Sequence, residues 1–169
     1  MEKIKRIPRL KFSEALQVGL ENIKDFDGRA RRSEFWWFML SGIIAIAVEF
    51  ALLGLVMEMA ALGCIVAELI MLGCLSVTVR RLHDTGKNGI WAFLSFTLQI
   101  IALIIMLFKT NGGSISNTDT INELMASNFF IGVCGLNLII DIVIMIFCLI
   151  DSKKEENDYG ESNKYLKED

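Results

Sequence analysis

The stretch IWAFLSFTLQIIALIIMLF, residues 90 to 108, holds no charged side chain over nineteen positions. A helix rising 1.5 Å per residue over that length crosses the roughly 30 Å of hydrocarbon in a bilayer. Three further runs have the same character. Residues 35 to 57 carry only Glu49 as a charge, residues 60 to 79 only Glu68, and residues 129 to 150 only Asp141. All four are apolar on every side, whereas a soluble helical bundle needs a polar face at the helical period. The expected fold is therefore an all-α integral membrane protein with four transmembrane helices, at about 35–57, 60–79, 90–108 and 129–150.

Composition points the same way. Of 169 residues 53% are hydrophobic, and the mean hydropathy is +0.48, above the range of soluble domains. A signal peptide would set a short apolar core just after a basic start, but here residues 1 to 34 are mostly polar and contain nothing like a cleavage site. The chain thus divides into a leader (1–34), a membrane domain (35–150) and a charged tail (151–169). Nine Lys and Arg fall in the leader, three in residues 80 to 89 and four after Ile150, leaving only Lys109 in the other connections. Sixteen of seventeen on one side predicts that both termini are cytoplasmic. The formal charge of −3 hides this asymmetry, since the tail alone holds seven acids against four lysines.

Residues 1 to 11 form a basic start. Behind Phe12 and a candidate N-cap at Ser13, Leu16, Leu20 and Ile23 recur at helical spacing, with Glu14, Gln17, Glu21 and Asn22 on the other side. The pattern predicts a short amphipathic helix at the inner membrane surface. Asp27-Gly28 is a turn signal, and Ser33 is placed to cap the first membrane helix. The stretch GRARRSEFWWF, residues 28 to 38, sets Arg29, Arg31 and Arg32 at headgroup depth and Phe35, Trp36, Trp37 and Phe38 in the aromatic belt. Arginines at that depth favour anionic headgroups by about 1 kcal/mol each.

The stretch RRLHDTGKNG, residues 80 to 89, is expected to end the second helix with cations that suit a helix C-terminus. It then turns at Gly86 and caps the third helix with Asn88 ahead of Ile90-Trp91. Residues 109 to 128, with Gly112-Gly113, read as a polar outer loop, and the charged tail is expected to be mobile. No Gly or Pro marks the reversal between the first two helices. One helix over residues 36 to 79 would be about 66 Å long, too long for a single crossing, so the chain must turn between Gly54 and Gly63.

Two of these stretches, Phe26-Asp27-Gly28-Arg29-Ala30-Arg31-Arg32-Ser33-Glu34-Phe35-Trp36 and Arg80-Arg81-Leu82-His83-Asp84-Thr85-Gly86, resemble the bacterial family called domain of unknown function 805, the YhaH-like inner-membrane proteins. A weaker likeness lies in the tail, where Asp151-Ser152 and Gly160-Glu161-Ser162-Asn163-Lys164-Tyr165 resemble the family's ending. One extra residue separates Gly160 from Asn163, and Leu166 replaces the usual glycine. Where the family commonly has Ser-Gly-Trp-Trp, this chain has Asn88-Gly89-Ile90-Trp91. The resemblance spans residues from about 16 to 165 and implies a multi-helix membrane protein of the bacterial inner membrane with no assigned activity.

Polar groups inside the spans form a second set of candidates. Glu49 and Glu68 are equidistant from a point between Glu58 and Met59, so an antiparallel hairpin sets them at one depth, able to face each other. Gln99 and Asp141 each lie about 14 Å from the inner end of their helices and share a level near the midplane, with Asn137 one turn from Asp141 on the same face. An acid at that depth costs roughly 2.5 to 3.5 kcal/mol on insertion, which the fourth helix's Leu, Ile, Val and Phe outweigh. Such groups either carry protons or substrate or hydrogen-bond between helices to fix packing or a dimer.

Catalysis and metals find less support. His83, the one histidine, sits beside Asp84, but no nucleophile is placed by sequence. Cys64, Cys74, Cys134 and Cys148 lie in apolar helices without Cys-x-x-Cys spacing and read as small buried fillers. No catalytic site, metal site or cofactor is expected, and no nucleic-acid partner, because the basic residues lie at the membrane plane. The expected partners are the bilayer, anionic headgroups, and a second copy or another membrane protein.

Two hypotheses follow. The first is a non-enzymatic membrane or envelope assembly or stress component. Its cytoplasmic-face motif (Gly28, Arg29, Arg32, Glu34, Arg80, Arg81, His83 and Asp84) serves structure or headgroup contact, through pairs among Arg29, Arg31, Arg32, Arg80 and Arg81 and the acids Asp27, Glu34, Asp84 and Asp151. The second is a small proton-coupled transporter or channel using Glu49, Glu68 and Asp141, with Gln99 nearby.

Overall fold

The computed structural model describes residues 3–56, 59–110, 122–124 and 126–168. Strand β1 (Lys3–Arg6) and helix α1 (Phe12–Glu21) lead into α2 (Arg32–Glu49), which a π-helical segment (Phe50–Val56) continues. Helices α3 (Ala60–Asp84), α4 (Ile90–Thr110) and α5 (Asn128–Leu149) follow, and strand β2 (Tyr165–Glu168) closes the chain. Four helical spans are long and apolar enough to cross a membrane: Arg32–Leu53, Ala61–Asp84, Ile90–Lys109 and Asn128–Leu149.

The spans form because uninterrupted apolar residues leave the helix as the only way to satisfy every backbone group in hydrocarbon. They turn large side chains outward: Ile43, Leu69, Ile139 and Ile146 are all more than half exposed, an arrangement that water would penalise and lipid does not. The rest of the chain covers 33% of the apolar window of α3 but only 11% of the others, which makes α3 the central helix. It packs against α2, α4 and α5, and α4 packs on α5.

The tightly packed part of the bundle lies at its arginine-rich end. There Ala30, Phe35, Phe38, Cys74, Val77, Ile140, Ile144 and Cys148 form one cluster, and Leu75, Val79, Leu82 and Ala92 another. Helix α1 lies hard against α2. A Cβ added at Gly19 would come within 2.1 Å of the Phe38 ring, so the absence of a side chain sets that contact, as small residues do between membrane helices.

Four expectations need correction. The chain is not wholly α-helical, since β1 and β2 pair antiparallel with Arg6 opposite Tyr165. Helix α3 does not end at Val79 but runs through Arg80, Arg81, His83 and Asp84, because those polar side chains find partners in the helical conformation and need not seek water. Ser13 does not cap α1. The helix begins at Phe12, and the Lys11 backbone N–H donates to the Glu14 carboxylate at 2.8 Å. Ser33 does not cap α2 either, since it lies inside the first turn and its hydroxyl accepts from the Leu10 N–H at 3.3 Å.

Other local features match the residues that signalled them. Gly86 has φ +73 in the turn after α3, and Asn88 Oδ1 accepts from the Ile90 N–H at 2.9 Å at the start of α4. The reversal after α2 falls within the interval bounded by Gly54 and Gly63, with the Met59 N–H donating to the Leu53 carbonyl at 2.7 Å. Gly112-Gly113 lies outside the described residues. The four thiols are free, but only Cys74 and Cys148 are buried fillers, Cys64 being half-buried and Cys134 exposed.

Candidate functional site

The arginine-rich end of the bundle is built around one carboxylate. Gly28, with φ +75, takes a left-handed conformation that few side chains tolerate. The turn lays the following residues across the end of α3, where the Ala30 N–H donates to the Arg80 carbonyl at 2.9 Å. This brings Arg29 over Asp84, and both are buried. Arg29 Nε donates to Asp84 Oδ1 at 3.0 Å. The other oxygen, Oδ2, accepts from Arg81 Nη1 and from the Ser152 hydroxyl. One carboxylate thus serves two fully enclosed guanidinium groups.

That leaves one excess positive charge, and main-chain carbonyls disperse it. Arg81 Nε and Nη2 donate to the Cys148 carbonyl at 3.2 and 3.1 Å, and Nη2 also to that of Ile150. These lie in the last turn of α5 and at the residue that ends it, where carbonyls have no partner within the helix and form the negative end of its dipole. Arg81 on α3 is thus the C-terminal cap of α5. Arg29 does the same for the tail: its Nη1 donates to the carbonyls of Glu155 and Gly160 at 3.0 and 3.1 Å, and its Nη2 to that of Lys153. In return the Asn163 side-chain amide donates to the Arg29 carbonyl. Charge-assisted bonds of this kind are about twice as strong as neutral ones.

The expected mobile tail is therefore corrected. Residues 151 to 165 are folded onto the bundle, held through their backbone by Arg29 and not by apolar burial. Tyr159 stacks on the His83 ring at 3.7 Å with 4° between planes. His83 Nδ1 lies 3.2 Å from the Gly28 carbonyl, and the Asn157 amide donates to the His83 carbonyl at 2.9 Å.

Around this centre sit three further ion pairs. Glu34, in the first turn of α2, accepts from Arg80 Nη1 at 2.7 Å in a buried pair, while Arg80 Nε and Nη2 have no hydrogen-bond partner among the described residues. They stand beside a cavity of about 350 Å³ lined also by Gly28, Arg29, Tyr159 and Asn163. Farther out, Asp151 is half-exposed and pairs with Arg32 Nη2 at 2.7 Å and with Lys164 Nζ. Partial burial pushes the Asp151 carboxyl up, but hydrogen bonds from Lys164, Arg32 and the Ser152 N–H outweigh it and hold the group well below the usual carboxylate range.

The structure thus brings together Gly28, Arg29, Glu34, Arg80, Arg81, His83 and Asp84, with Arg32 at the edge. Arg31 and Asp27, expected among the pairs, take other roles: Arg31 Nη1 donates to the Pro8 carbonyl at 2.8 Å, and the Asp27 N–H donates to Asp25 Oδ1 at 2.9 Å. Sequence reasoning missed Ser152, Asn157, Tyr159 and Asn163. The signal that could have found them was the tail likeness, which contained Asp151-Ser152 and Asn163-Lys164.

A second polar set lies inside the spans. Asp141 on α5 accepts from the Asn137 amide at 2.9 Å and from the Ser95 hydroxyl on α4, and the Gln99 amide donates to Ser95 Oγ at 3.3 Å. Gln99 and Asp141 line two cavities, of about 180 Å³ and 410 Å³, and the larger also reaches Glu68. Glu49 is apart from this set: its Oε1 fills the space a Cβ on Gly63 would need, at 2.9 Å. Among the described residues neither Glu49 oxygen has a hydrogen-bond partner, so no bond joins it to Glu68. Among the described residues, no three His, Cys, Asp or Glu side chains are grouped to hold a metal.

Residues 23–161 match the family described as protein of unknown function, DUF805. The chain is 37% identical over 100 residues to the inner membrane protein YhaI of Escherichia coli K12, covering 58% of this chain and 85% of that protein. It is 38% identical over 104 residues to the inner membrane protein YhaH of the same organism, covering 56% of this chain and 83% of that one. A shorter match, 38% over 71 residues, is to the uncharacterized protein YiiR, covering 41% of this chain and 47% of that protein. No solved structure matches.

Proposed function

Because this chain belongs to the DUF805 family, we propose that it is a multi-pass inner-membrane protein with both termini cytoplasmic and a non-enzymatic role in membrane or envelope assembly. The network on Asp84 carries the reading. Arg29, Arg81 and Asp84 are joined to one another, to the end of α5 and to the tail, which is the work of a clasp that holds α3, α5, the segment ahead of α2 and the tail in one relative position. A fixed face of this kind is what a docking platform for a second copy or another membrane protein requires. The amphipathic α1 lies along the headgroup layer and extends the platform. The distribution of Lys and Arg supports the orientation.

The experiment is a pair of substitutions, Arg81→Gln and Asp84→Asn, with folded membrane-inserted protein measured by fluorescence-detected gel filtration. Loss of folded protein supports the clasp, and unchanged amounts and melting temperature refute it. Cysteine labelling of residues introduced at either end, from one side of sealed vesicles, tests the orientation.

The intramembrane set favours a second reading, a small proton-coupled carrier. Asp141 and Gln99 stand between two cavities, and Glu68 is reached from one of them. Flux across proteoliposomes under a pH gradient separates the two readings. Loss in Asp141→Asn and Glu68→Gln at unchanged stability makes the protein a carrier, whereas altered stability without flux makes the acids packing groups.

A further inference from the structure

We infer that the open cavity between β1, the segment joining it to α1 and the first turn of α2 binds the phosphate of an anionic phospholipid. The cavity is about 490 Å³ and is lined by six cationic side chains, Arg6, Arg9, Lys11, Arg31, Arg32 and Lys164, with no acid among its lining residues. Arg32 and Lys164 share Asp151. The remaining four, Arg6, Arg9, Lys11 and Arg31, have no ion-pair partner among the described residues. Four like charges gathered around one cavity repel each other, and a bound phosphate offsets that repulsion.

The cavity is built, not draped. Arg31 donates to the Pro8 carbonyl at 2.8 Å, and the Leu10 N–H donates to the Ser33 hydroxyl at 3.3 Å, so the connection is tied to the first turn of α2 by two hydrogen bonds. That turn has no side-chain cap, and Arg31, Arg32 and Ser33 at its start line the cavity, so the positive end of the helix dipole lies beside it.

Apolar surroundings decide in favour of a lipid. Trp36 and Trp37 line the same cavity, and Phe12 meets the Trp37 ring edge-on at 5.7 Å. One turn and two turns beyond Trp36 and Trp37 on α2, Leu40 and Ile44 are 41% and 51% exposed. A phosphate in the cavity therefore has tryptophans at its glycerol level and an exposed apolar helix face for its acyl chains. A free phosphate would use only the first of these.

The inference rests on the membrane placement proposed above but not on the orientation, because nanodiscs present both faces. The test embeds the full chain in nanodiscs of phosphatidylcholine with a graded fraction of phosphatidylglycerol and measures lipid selectivity by native mass spectrometry. Arg6→Gln, Arg9→Gln and Lys11→Gln are combined, all three side chains being exposed and, among the described residues, outside any ion pair. The control combines Lys24→Gln, Lys109→Gln and Lys154→Gln. Three interfacial charges at roughly fivefold each predict a loss of phosphatidylglycerol preference of about a hundredfold in the cavity variant and none in the control. Equal losses in both would mean diffuse surface charge and overturn the site. So would wild-type protein that inserts without preference, or inorganic phosphate at millimolar concentration displacing the lipid. Failure of the wild type to insert would instead strike at the membrane reading.

Discussion

Asp84→Asn is the sharpest probe of the clasp. The substitution is nearly isosteric, yet it removes the carboxylate that stands between Arg29 and Arg81. Asp84 Oδ1 accepts from Arg29, and Oδ2 from Arg81 and Ser152, so whichever way an asparagine amide flips, its NH2 meets a guanidinium N–H. Both arginines are essentially inaccessible to water and cannot recover hydration without the tail or α5 moving aside. Breaking a buried ion pair from one side costs about 3 to 5 kcal/mol, and here two cations are orphaned at once. For a chain of this length that lowers the melting temperature by about 6 to 20 °C. The assay is thermal unfolding in one detergent, with limited proteolysis at Lys153 and Lys154 reporting tail release. A shift under about 2 °C, with the tail still protected, would mean that the main-chain carbonyls alone hold the two arginines and would refute the reasoning.

Three further outcomes are expected. Gly19→Leu drives a side chain into the Phe38 ring, which a Cβ alone would meet at 2.1 Å, and costs about 1 to 3 kcal/mol by overpacking; crosslinking between α1 and α2 should fall with it, and an unchanged yield would count against the docked α1. Tyr159→Ala removes the stacked ring from His83 at a cost of about 0.5 to 1.5 kcal/mol; proteolysis of the tail should speed up while the helices melt as before. Asp151, whose carboxyl is held low by Lys164 and Arg32 against the effect of burial, contributes stability that is complete above the ordinary carboxylate value of about 3.9 and fades as pH falls below it. Tail protection should be flat from about pH 5 to 8 and lost in stronger acid, and Asp151→Asn should remove that share of the pH dependence. Because Asp151 is half-exposed, the share is at most about 1 kcal/mol.

Features that depend on neighbours in sequence were legible. The four apolar runs mark the spans because hydrocarbon imposes one requirement on each residue independently, and Asn88 signals its cap because the partner, Ile90, is two positions away. Asn137 and Asp141 are one helical turn apart and share a bond for the same reason. The arginine and carboxylate pairs between the two motif stretches were also expected, and what failed was what distant main-chain partners set. Helix α3 continues past Val79 because Arg81 reaches carbonyls 67 positions later, and hydropathy sees only the polar run. The tail was misjudged because its composition is that of a mobile segment, yet Arg29 grips its carbonyls across 126 and 131 positions. A backbone carbonyl belongs to every residue alike, so its use leaves no mark in the sequence. The pairing of β1 with β2 was hidden for the same reason.

The cap that Arg81 places on α5 has a consequence for synthesis. Its acceptor, the Cys148 carbonyl, is made 67 residues after Arg81 itself. At 5 to 20 residues per second the ribosome leaves that arginine waiting for about 3 to 13 s. On the proposed cytoplasmic placement, α2, α3 and then α4 precede the acceptor, and Arg29, Arg81 and Asp84 would stand in water and headgroups through that interval. An apolar latch in the same position would sink into the hydrocarbon or stick to the wrong neighbour while it waited. A charged latch stays anchored at the surface, harmless and hydrated, and closes only when the last helix delivers its final turn.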